Sequence, residues 1–556
     1  MRKALVILTC CTAVLLTGYV GYRGYKVWKQ QHLMAMTKAF LAKSDERNAV
    51  LCLEQVLGSN PHNVEAARTM GNLAAAAHSP SALLWRSRVV ELNPRSLNDR
   101  LALAQTAMGF NDVGAATNAL EGVDEASRKT AQYQNVAGAV DVAAGRFPEA
   151  EAHFSEAARL EPTNTVPQLN LAVLRLRGTN ALDVAESRIV LQRIIGSQAD
   201  GNLRCQAARE LIADAMRNKR MDKAVKLANE LVQDTNSAFS DRLLRLDALR
   251  AAKDPGFNSA LATLKTTVTN GLPRIYELAA WQMARTSPTE ALAWLRALPA
   301  DVRTNQTVCM LAADCQSQSR DWRGLQSSLA KQNWAELDFT RHALLARALR
   351  GQDLDAASKT EWELAIKATN NRKVALTVLL RTATQWGWQG EAEELLWSIV
   401  NQYPNETWAF RALAQTLFFN GRSRPLMMLY GQKLKRSPDN LEVKNNVAVL
   451  ALLLDAQELK PHELAREVYE SSPTNSAYAS TYAFSLHLQK KDGDALTIMQ
   501  KLSPQQLESP SIAGYYGLIL KAAGDASKAK PYLAWASKAK LLPEEQKLFD
   551  RAKAGT

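Results

Sequence analysis

The chain has 556 residues, which is long enough for several domains or for one extended repeat array. Apolar residues make up 47% and charged residues 22% of the sequence, a balance that excludes an intrinsically disordered protein. The formal net charge is +13, but no dense run of lysine and arginine accompanies it. The charge is therefore no signature of nucleic-acid binding, and we expect no nucleic-acid partner.

The N-terminus contains a stretch of 19 residues without a charged side chain, residues 4–22, which is just long enough to span a bilayer. Basic residues border it on both sides. Aromatic residues recur every third position at its end, and rings and basic side chains both anchor at membrane interfaces: Tyr19, Tyr22, Tyr25 and Trp28. We expect an uncleaved transmembrane helix, because the residues after the apolar core offer a poor cleavage site; a cleaved signal peptide is the alternative.

The basic residues on the two sides of this segment nearly balance, so the charge bias on orientation is small. Short anchors of this layout usually export the bulk of the chain. We therefore expect a single-pass membrane protein whose bulk lies on the periplasmic or extracytoplasmic side.

A helix–turn–helix pattern is clearest over Ala131–Asn164. The first helix is predicted to run to about Ala144, where Gly145 stops it. The second is predicted to start at Pro148, since proline is tolerated in a first helical turn, and to end before Pro162. Two helices of this length cannot bury an apolar face alone, which predicts that copies of the unit stack on one another.

The spacing of small, apolar and proline residues in this unit resembles the tetratricopeptide repeat (TPR), a helix–turn–helix unit of 34 residues. Six positions match the family pattern: Gly138, Gly145, Ala150, Phe154, Ala157 and Pro162. Gln134 and Asp141 depart from it, since the family places apolar or aromatic residues there.

The same register continues along the chain, with its clearest later copies ending at Pro404 and Pro438 and around Gly517–Ala536. Between the first and the last unit there is room for about fifteen repeats. The resemblance implies an all-α, right-handed TPR-like solenoid with one N-terminal transmembrane helix. We expect a transmembrane helix over 4–22, a first repeat array over 30–304 that is degenerate in 165–304, a second array over 305–543, and a capping helix and tail over 543–556.

The sequence contains none of the catalytic, phosphate-binding or metal-binding motifs that we searched for. The sequence contains no phosphate-binding loop, no nucleophile elbow and no H-E-x-x-H motif, and its seven histidines are dispersed. The six cysteines contain no C-x-x-C pair and are predicted to be reduced and packed in helices. Because the repeats also leave no room for a catalytic module, we expect no enzymatic activity, no catalytic residues, no cofactor and no metal.

In TPR proteins the first helix of each pair lines a concave groove, so the resemblance implies which side chains face it here. Arginines interleaved with aromatics on such a surface would bind an acidic or carboxylate-bearing peptide. The alternative is that the arginines pair with acidic neighbours and the rings belong to the core. The candidate ligand-binding residues are Arg347, Arg350, Arg381, Trp408, Arg411 and Phe418.

The sequence thus favours a membrane-anchored scaffold that binds a protein or peptide partner, acidic in character, at the cell envelope. The alternative function is an accessory subunit for polysaccharide or glycan synthesis or export. Exposed aromatics in the groove would favour that alternative.

Overall fold

The computed structural model describes residues 24–269 and 271–554. Over these ranges the chain is all-α, with two 3-10 helices and no strand. It forms two compact units: one contains the residues up to Ser287 with Ala297–Arg303, and the other contains Pro288–Arg296 and the residues from Thr304 onward. The transmembrane helix predicted over 4–22 lies outside the described residues. Among those that are described, no helix combines the length and the apolar character that a bilayer span requires.

The first unit contains seven helix pairs and three further helices. Its helices are α1 (24–42), α2 (Glu46–Ser59), α3 (Val64–Ala76), α4 (Ser81–Leu92), α5 (Leu97–Gly109), α6 (Val113–Glu121), α7 (Glu125–Arg128), α8 (Ala131–Ala143), α9 (Phe147–Leu160), α10 (Thr165–Leu176), α11 (Ala181–Ile195), α12 (Gly201–Arg217), α13 (Met221–Leu231), α14 (Phe239–Ala252), α15 (Phe257–Thr267), α16 (Leu272–Arg285) and α18 (Ala300–Arg303).

The second unit also contains seven helix pairs and three further helices, one of which ends it. Its helices are α17 (Pro288–Ala297, all but the last residue), α19 (Gln306–Gln318), α20 (Trp322–Leu329), α21 (Asp338–Arg350), α22 (Asp355–Ala368), α23 (Lys373–Gln385), α24 (Gln389–Gln402), α25 (Thr407–Phe419), α26 (Ser423–Arg436), α27 (Leu441–Leu454), α28 (Pro461–Ser471), α29 (Ser476–Leu488), α30 (Asp492–Met499), α31 (Pro504–Leu507), α32 (Pro510–Ala522), α33 (Ala526–Ala536) and α34 (Pro543–Ala554), with 3-10 helices at Ala335–Leu337 and Gln457–Leu459. The predicted all-α fold of paired helices is confirmed.

A residue in the left-handed backbone region separates the two helices of almost every pair. In the first unit these residues are Ser44, His78, Asn111, Gly145, Lys219 and Lys253; in the second they are Arg320, Asp353, Gly387, Gly421, Asp455, Lys490 and Gly524. Along the second unit they recur every 33 to 35 residues, so the backbone itself carries the repeat period that the sequence predicts.

The hydrogen bonding of these turns explains why they are alike. In all thirteen, the residue after the left-handed one donates its N–H to the carbonyl five positions back, as Arg146 does to Asp141 at 2.8 Å. This bond satisfies a carbonyl at the end of the first helix and stops that helix. Glycine adopts the required conformation without a steric cost, and the predicted stop at Gly145 is confirmed by its φ of 76°.

The pair α8–α9 shows how a unit is packed. Ala150, Phe154 and Ala157 are buried, as their spacing predicts. A Cβ added to Gly138 would lie 2.7 Å from the Phe154 ring, so Gly138 is small because the ring occupies that space. Asp141, where the sequence departs from the TPR pattern, is buried and accepts hydrogen bonds from the guanidinium of Arg146 at 2.6 and 2.9 Å.

Within each unit, polar side chains link neighbouring pairs at about one repeat of sequence separation. Arg68 and Asp99 form two bonds of 2.8 Å across 31 residues in the first unit, and Lys373 bonds to Glu406 at 2.6 Å across 33 residues in the second. These pairs therefore stack on their sequence neighbours, the arrangement expected of a repeat array.

The last helix, α34, departs from this neighbour-only pattern. It buries Phe549 against α32, where a Cβ on Gly514 would lie 2.5 Å from the ring. Its first turn also returns to a much earlier pair, because the hydroxyl of Ser423 donates to Glu544 across 121 residues. The helix predicted to cap the array over 543–556 therefore lies at Pro543–Ala554 and contacts the α25–α26 turn as well as the last pair.

Candidate ligand-binding cleft

Two of the predicted groove residues, Arg347 and Arg350, stack on tryptophan rings of the neighbouring pairs. The Arg347 Cζ lies 4.6 Å from the centre of the Trp386 ring and 5.8 Å from that of Trp322. Arg350 Cζ lies 3.7 Å from the centre of the Trp388 ring, and its guanidinium also bonds to Glu391. Both arginines are thus engaged within the protein.

Burial determines how Arg347 is held. It lowers the pKa of the Arg347 guanidinium, because the charged form loses water. The rings replace that water with their negative faces, which attract a guanidinium. Trp386 and Trp388 are themselves packed edge to face at 5.0 Å, and Trp362 packs edge to face on Trp388 at 5.4 Å. We refer to the four tryptophans and two arginines as the Arg–Trp cluster: Trp322, Arg347, Arg350, Trp362, Trp386 and Trp388.

The next two predicted residues do not join this cluster. Arg381 lies exposed on α23 and makes no hydrogen bond or ion pair with any described residue. Trp408 is 41% exposed at the start of α25, and its indole N–H donates to Glu406 at 2.7 Å.

The remaining two, Arg411 and Phe418, line one cleft of about 550 Å³ between α25, α26 and α27. Arg411 is exposed and has no acidic partner among the described residues, whereas Phe418 is half-buried. A cleft of this size is within the range of small-ligand and peptide side-chain sites. We refer to it as the basic cleft.

Aromatic rings and amides form the rest of the basic cleft. Phe410 packs edge to face on Tyr430 at 5.4 Å, and the Lys433 ammonium lies 5.7 Å from the centre of the Phe410 ring. Burial raises the pKa of the Tyr430 phenol, which therefore stays neutral and can donate its proton. Asn440 and Asn446 add polar groups to the wall.

One side of the basic cleft is formed by Glu545 of α34 and by Leu542, the residue before that helix. Glu545 is held in place by two donors, the hydroxyl of Tyr515 at 2.6 Å and the N–H of Leu542 at 2.9 Å. Burial is the main reason that the pKa of Tyr515 lies well above its ordinary value, so its proton remains available for this bond. The carboxylate of Glu545 is thus directed toward its own scaffold.

The helix pair that forms most of the basic cleft is strongly basic. Over residues 407–438 there are six lysines and arginines and no aspartate or glutamate. One of the six, Arg422, is ion-paired, with Glu393 of the preceding pair at 2.6 Å. The other five have no acidic partner among the described residues, which makes this pair an attractive surface for anionic groups.

No metal site emerges from the described residues, since they contain no group of three or more histidine, cysteine or acidic side chains positioned to hold an ion. Cys52, Cys205 and Cys315 are free thiols. Burial raises the pKa of Cys315 to about 12, so this thiol is protonated and unreactive at neutral pH.

Sequence reasoning placed Arg411 and Phe418 on one groove but missed the other walls of the basic cleft. Lys433 and Tyr430 belong to the second helix of the pair, which the TPR pattern does not assign to a groove. The absence of acidic residues over 407–438 is a feature of the sequence that could have indicated Lys433 as part of a basic surface. Nothing in the local pattern indicates Leu542 and Glu545, which approach from more than 100 residues away.

Comparisons with protein-family models and with curated proteins find no match. Among solved structures, the chain is similar to one in the structure of Naa15/Naa10 bound to HypK-THB, with 14% identity, a TM-score of 0.31, and coverage of 94% of this chain and 77% of that one. It is also similar to one in the crystal structure of the APC/C hetero-tetramer Cut9–Hcn1, with 11% identity, a TM-score of 0.27, and coverage of 90% and 96%. Both TM-scores are below 0.5, so the helix pairing described above rests on the turns and contacts of this chain alone.

Proposed function

We propose that this protein is a TPR-like scaffold that binds an acidic segment of a protein partner in the basic cleft. The observation that carries the proposal is the coincidence of an open cleft with a helix pair that has six basic and no acidic residues. Arg411 would hold a carboxylate through two parallel hydrogen bonds, and Lys433 would add a second positive charge. Phe418 would contact the apolar part of the segment.

The proposal contains no catalytic step. The charged groups that line the basic cleft are the Arg411 guanidinium, the Lys433 ammonium and the carboxylates of Glu442 and Glu545, and aromatic rings and amides form much of the remaining wall, so the cleft recognises charge and shape. A role in glycan export would require aromatic rings whose faces are exposed in the cleft, where they could stack on sugar rings. The face of Phe410 lies toward Lys433 and its ring packs on Tyr430, so this geometry favours a carboxylate-bearing peptide.

A pull-down with the full chain tests the partner class. We expect the double substitution Arg411→Ala with Lys433→Ala to lose the captured partner, since it removes both positive charges that line the basic cleft. Arg424→Ala is the matched control, because Arg424 is an exposed arginine of the same pair that does not line the cleft. The captured partner should also be released by a synthetic heptapeptide of alternating glutamate and phenylalanine. Equal capture by both variants would show that the basic cleft is not the binding site.

We also propose that residues 4–22 anchor the protein in a membrane and that the repeats lie on the exported side. Support comes from the uncharged length of this segment and from the start of α1, where Tyr25 and Trp28 expose 57% and 58% of their surface and stack at 6.1 Å. A phosphatase that is active only after export, fused to the C-terminus, tests the orientation. An inactive fusion that is fully expressed would place the repeats on the cytoplasmic side.

A further inference from the structure

A second cleft lies in the first unit, beside a helix pair that lacks the regular turn. Among the seven pairs of the first unit, α10–α11 is the one without a left-handed turn residue in the described part of the chain. Lys219 follows Gly145 by 74 residues, although two regular repeats would take 66 to 70. The extra residues lie mainly in the long helices α11 and α12, of 15 and 17 residues, and in the connection over 196–200.

This cleft has a volume of about 630 Å³ and mainly apolar walls from α8, α9 and α10. Phe147 is 56% exposed and Val142 is 36% exposed, and both line it. Large apolar side chains that share one concave surface indicate a binding site rather than a chance exposure. We refer to it as the apolar cleft.

Three of the four charged side chains that line the apolar cleft are ion-paired, Arg175 with Glu151 of the same cleft and Arg177 with Glu210 outside it. Arg175 bonds to Glu151 at 2.7 Å, and one nitrogen of Arg177 bonds to both carboxylate oxygens of Glu210 at 3.0 Å. Asp183 is the exception among the charged lining residues, since it has no basic partner in the described part of the chain. The uncompensated charge of this cleft is therefore negative.

We propose that the apolar cleft binds a second peptide segment, one that carries a large apolar side chain next to lysine or arginine. The apolar side chain would contact Phe147 and Val142, and the basic residue would pair with Asp183. This proposal does not depend on the function assigned to the basic cleft, since the two clefts share no residue.

Selection from a library of random dodecapeptides displayed on phage, with the immobilised full chain, tests the proposal. We expect enriched sequences to combine an aromatic or large aliphatic residue with an adjacent lysine or arginine, and to be lost on the variant Phe147→Ser. Retention on that variant, or enrichment of acidic sequences alone, would overturn the proposal.

The affinity of the best selected peptide, measured by fluorescence anisotropy, then assigns the contacts. Phe147→Ser should weaken binding about tenfold, because roughly half of a phenylalanine surface is removed from the contact. Asp183→Asn should weaken it about threefold, and added salt should remove that difference. Leu182→Ser is the matched control, since Leu182 is 75% exposed and does not line the cleft. An equal loss with Leu182→Ser, or no loss with Phe147→Ser, would contradict the assignment.

Discussion

The Arg–Trp cluster and the basic cleft belong to the same unit and the same repeat pattern, yet they use arginine in opposite ways. Arg347 and Arg381 occupy equivalent positions one repeat apart, since each lies six residues before a left-handed turn residue. Arg347 lies between two indoles, whereas Arg381 is exposed, as is Arg411 on the next helix pair. What decides the role of such an arginine is therefore the neighbouring pair, and repeat position alone does not assign a binding residue.

The largest expected loss of stability comes from Trp362→Ala, a substitution within the Arg–Trp cluster. Its side chain is 2% exposed and packs on Trp388, so Trp362→Ala leaves a large cavity and should destabilise the second unit by about 3–5 kcal/mol. Urea denaturation, followed by circular dichroism, measures the change. Trp408→Ala is the control on the cleft side and should cost far less, because Trp408 is 41% exposed. Equal losses would mean that the cluster is not a core.

Acidification should weaken α21, the helix that carries Arg347 and Arg350 of the Arg–Trp cluster. Arg341 donates two hydrogen bonds to Asp338 at 2.6 and 2.8 Å, and this contact is the largest reason that the pKa of Asp338 is lowered from 3.8 to about 2. A lowered pKa adds stability that is fully present above pH 3.8 and is lost as the pH falls through about 2. The contribution is about 2 kcal/mol at neutral pH.

Unfolding of the second unit from pH 6 to pH 2 tests this contribution. Asp338→Asn should lower stability at pH 6 and flatten the fall between pH 4 and pH 2. If wild type and variant lose stability in parallel over that interval, another carboxylate is responsible.

The two turn glycines Gly387 and Gly421 allow the same substitution to be compared beside the Arg–Trp cluster and beside α34. Alanine at either position should cost about 1–2 kcal/mol, because both glycines have a positive φ, of 73° and 64°. Gly421→Ala should cost more than Gly387→Ala, since its Cβ would lie 3.0 Å from Pro543 whereas the space beside Gly387 is open. Thermal unfolding of the two variants measures the difference. A smaller loss of stability for Gly421→Ala than for Gly387→Ala would mean that α34 moves away from the added methyl group at little energetic cost.

The smallest effect should come from the equivalent arginines themselves. Arg347→Ala removes a cation from two ring faces and should cost about 1 kcal/mol, whereas Arg381→Ala should be within about 0.5 kcal/mol of wild type. A double-mutant cycle with Trp386→Ala isolates the stacking energy. A coupling energy near zero would show that the stacking contributes nothing.

Much of the fold could be predicted from the sequence because the same residue spacing recurs in many repeats. The glycine stops and the buried Ala150, Phe154 and Ala157 follow from local spacing alone. The turns at Asp353, Asp455 and Lys490 were not predicted, since these residues adopt the left-handed conformation without glycine. The candidate site was less predictable, because the partners of Arg347 and the far wall of the basic cleft come from other repeats.

The return of α34 to Ser423 has a consequence for the order in which the second unit is completed. Stacked repeats can form as the chain emerges, since each needs only its neighbour. The basic cleft is different, because Leu542 and Glu545 are synthesised after α25–α27 and after the helix pairs that lie between them in the sequence. Until these two residues dock, α25–α27 lack one wall, and the long loop that they close slows this step. A chain that ends before Pro543 would therefore keep its repeats but present an open, unfinished cleft to its partner.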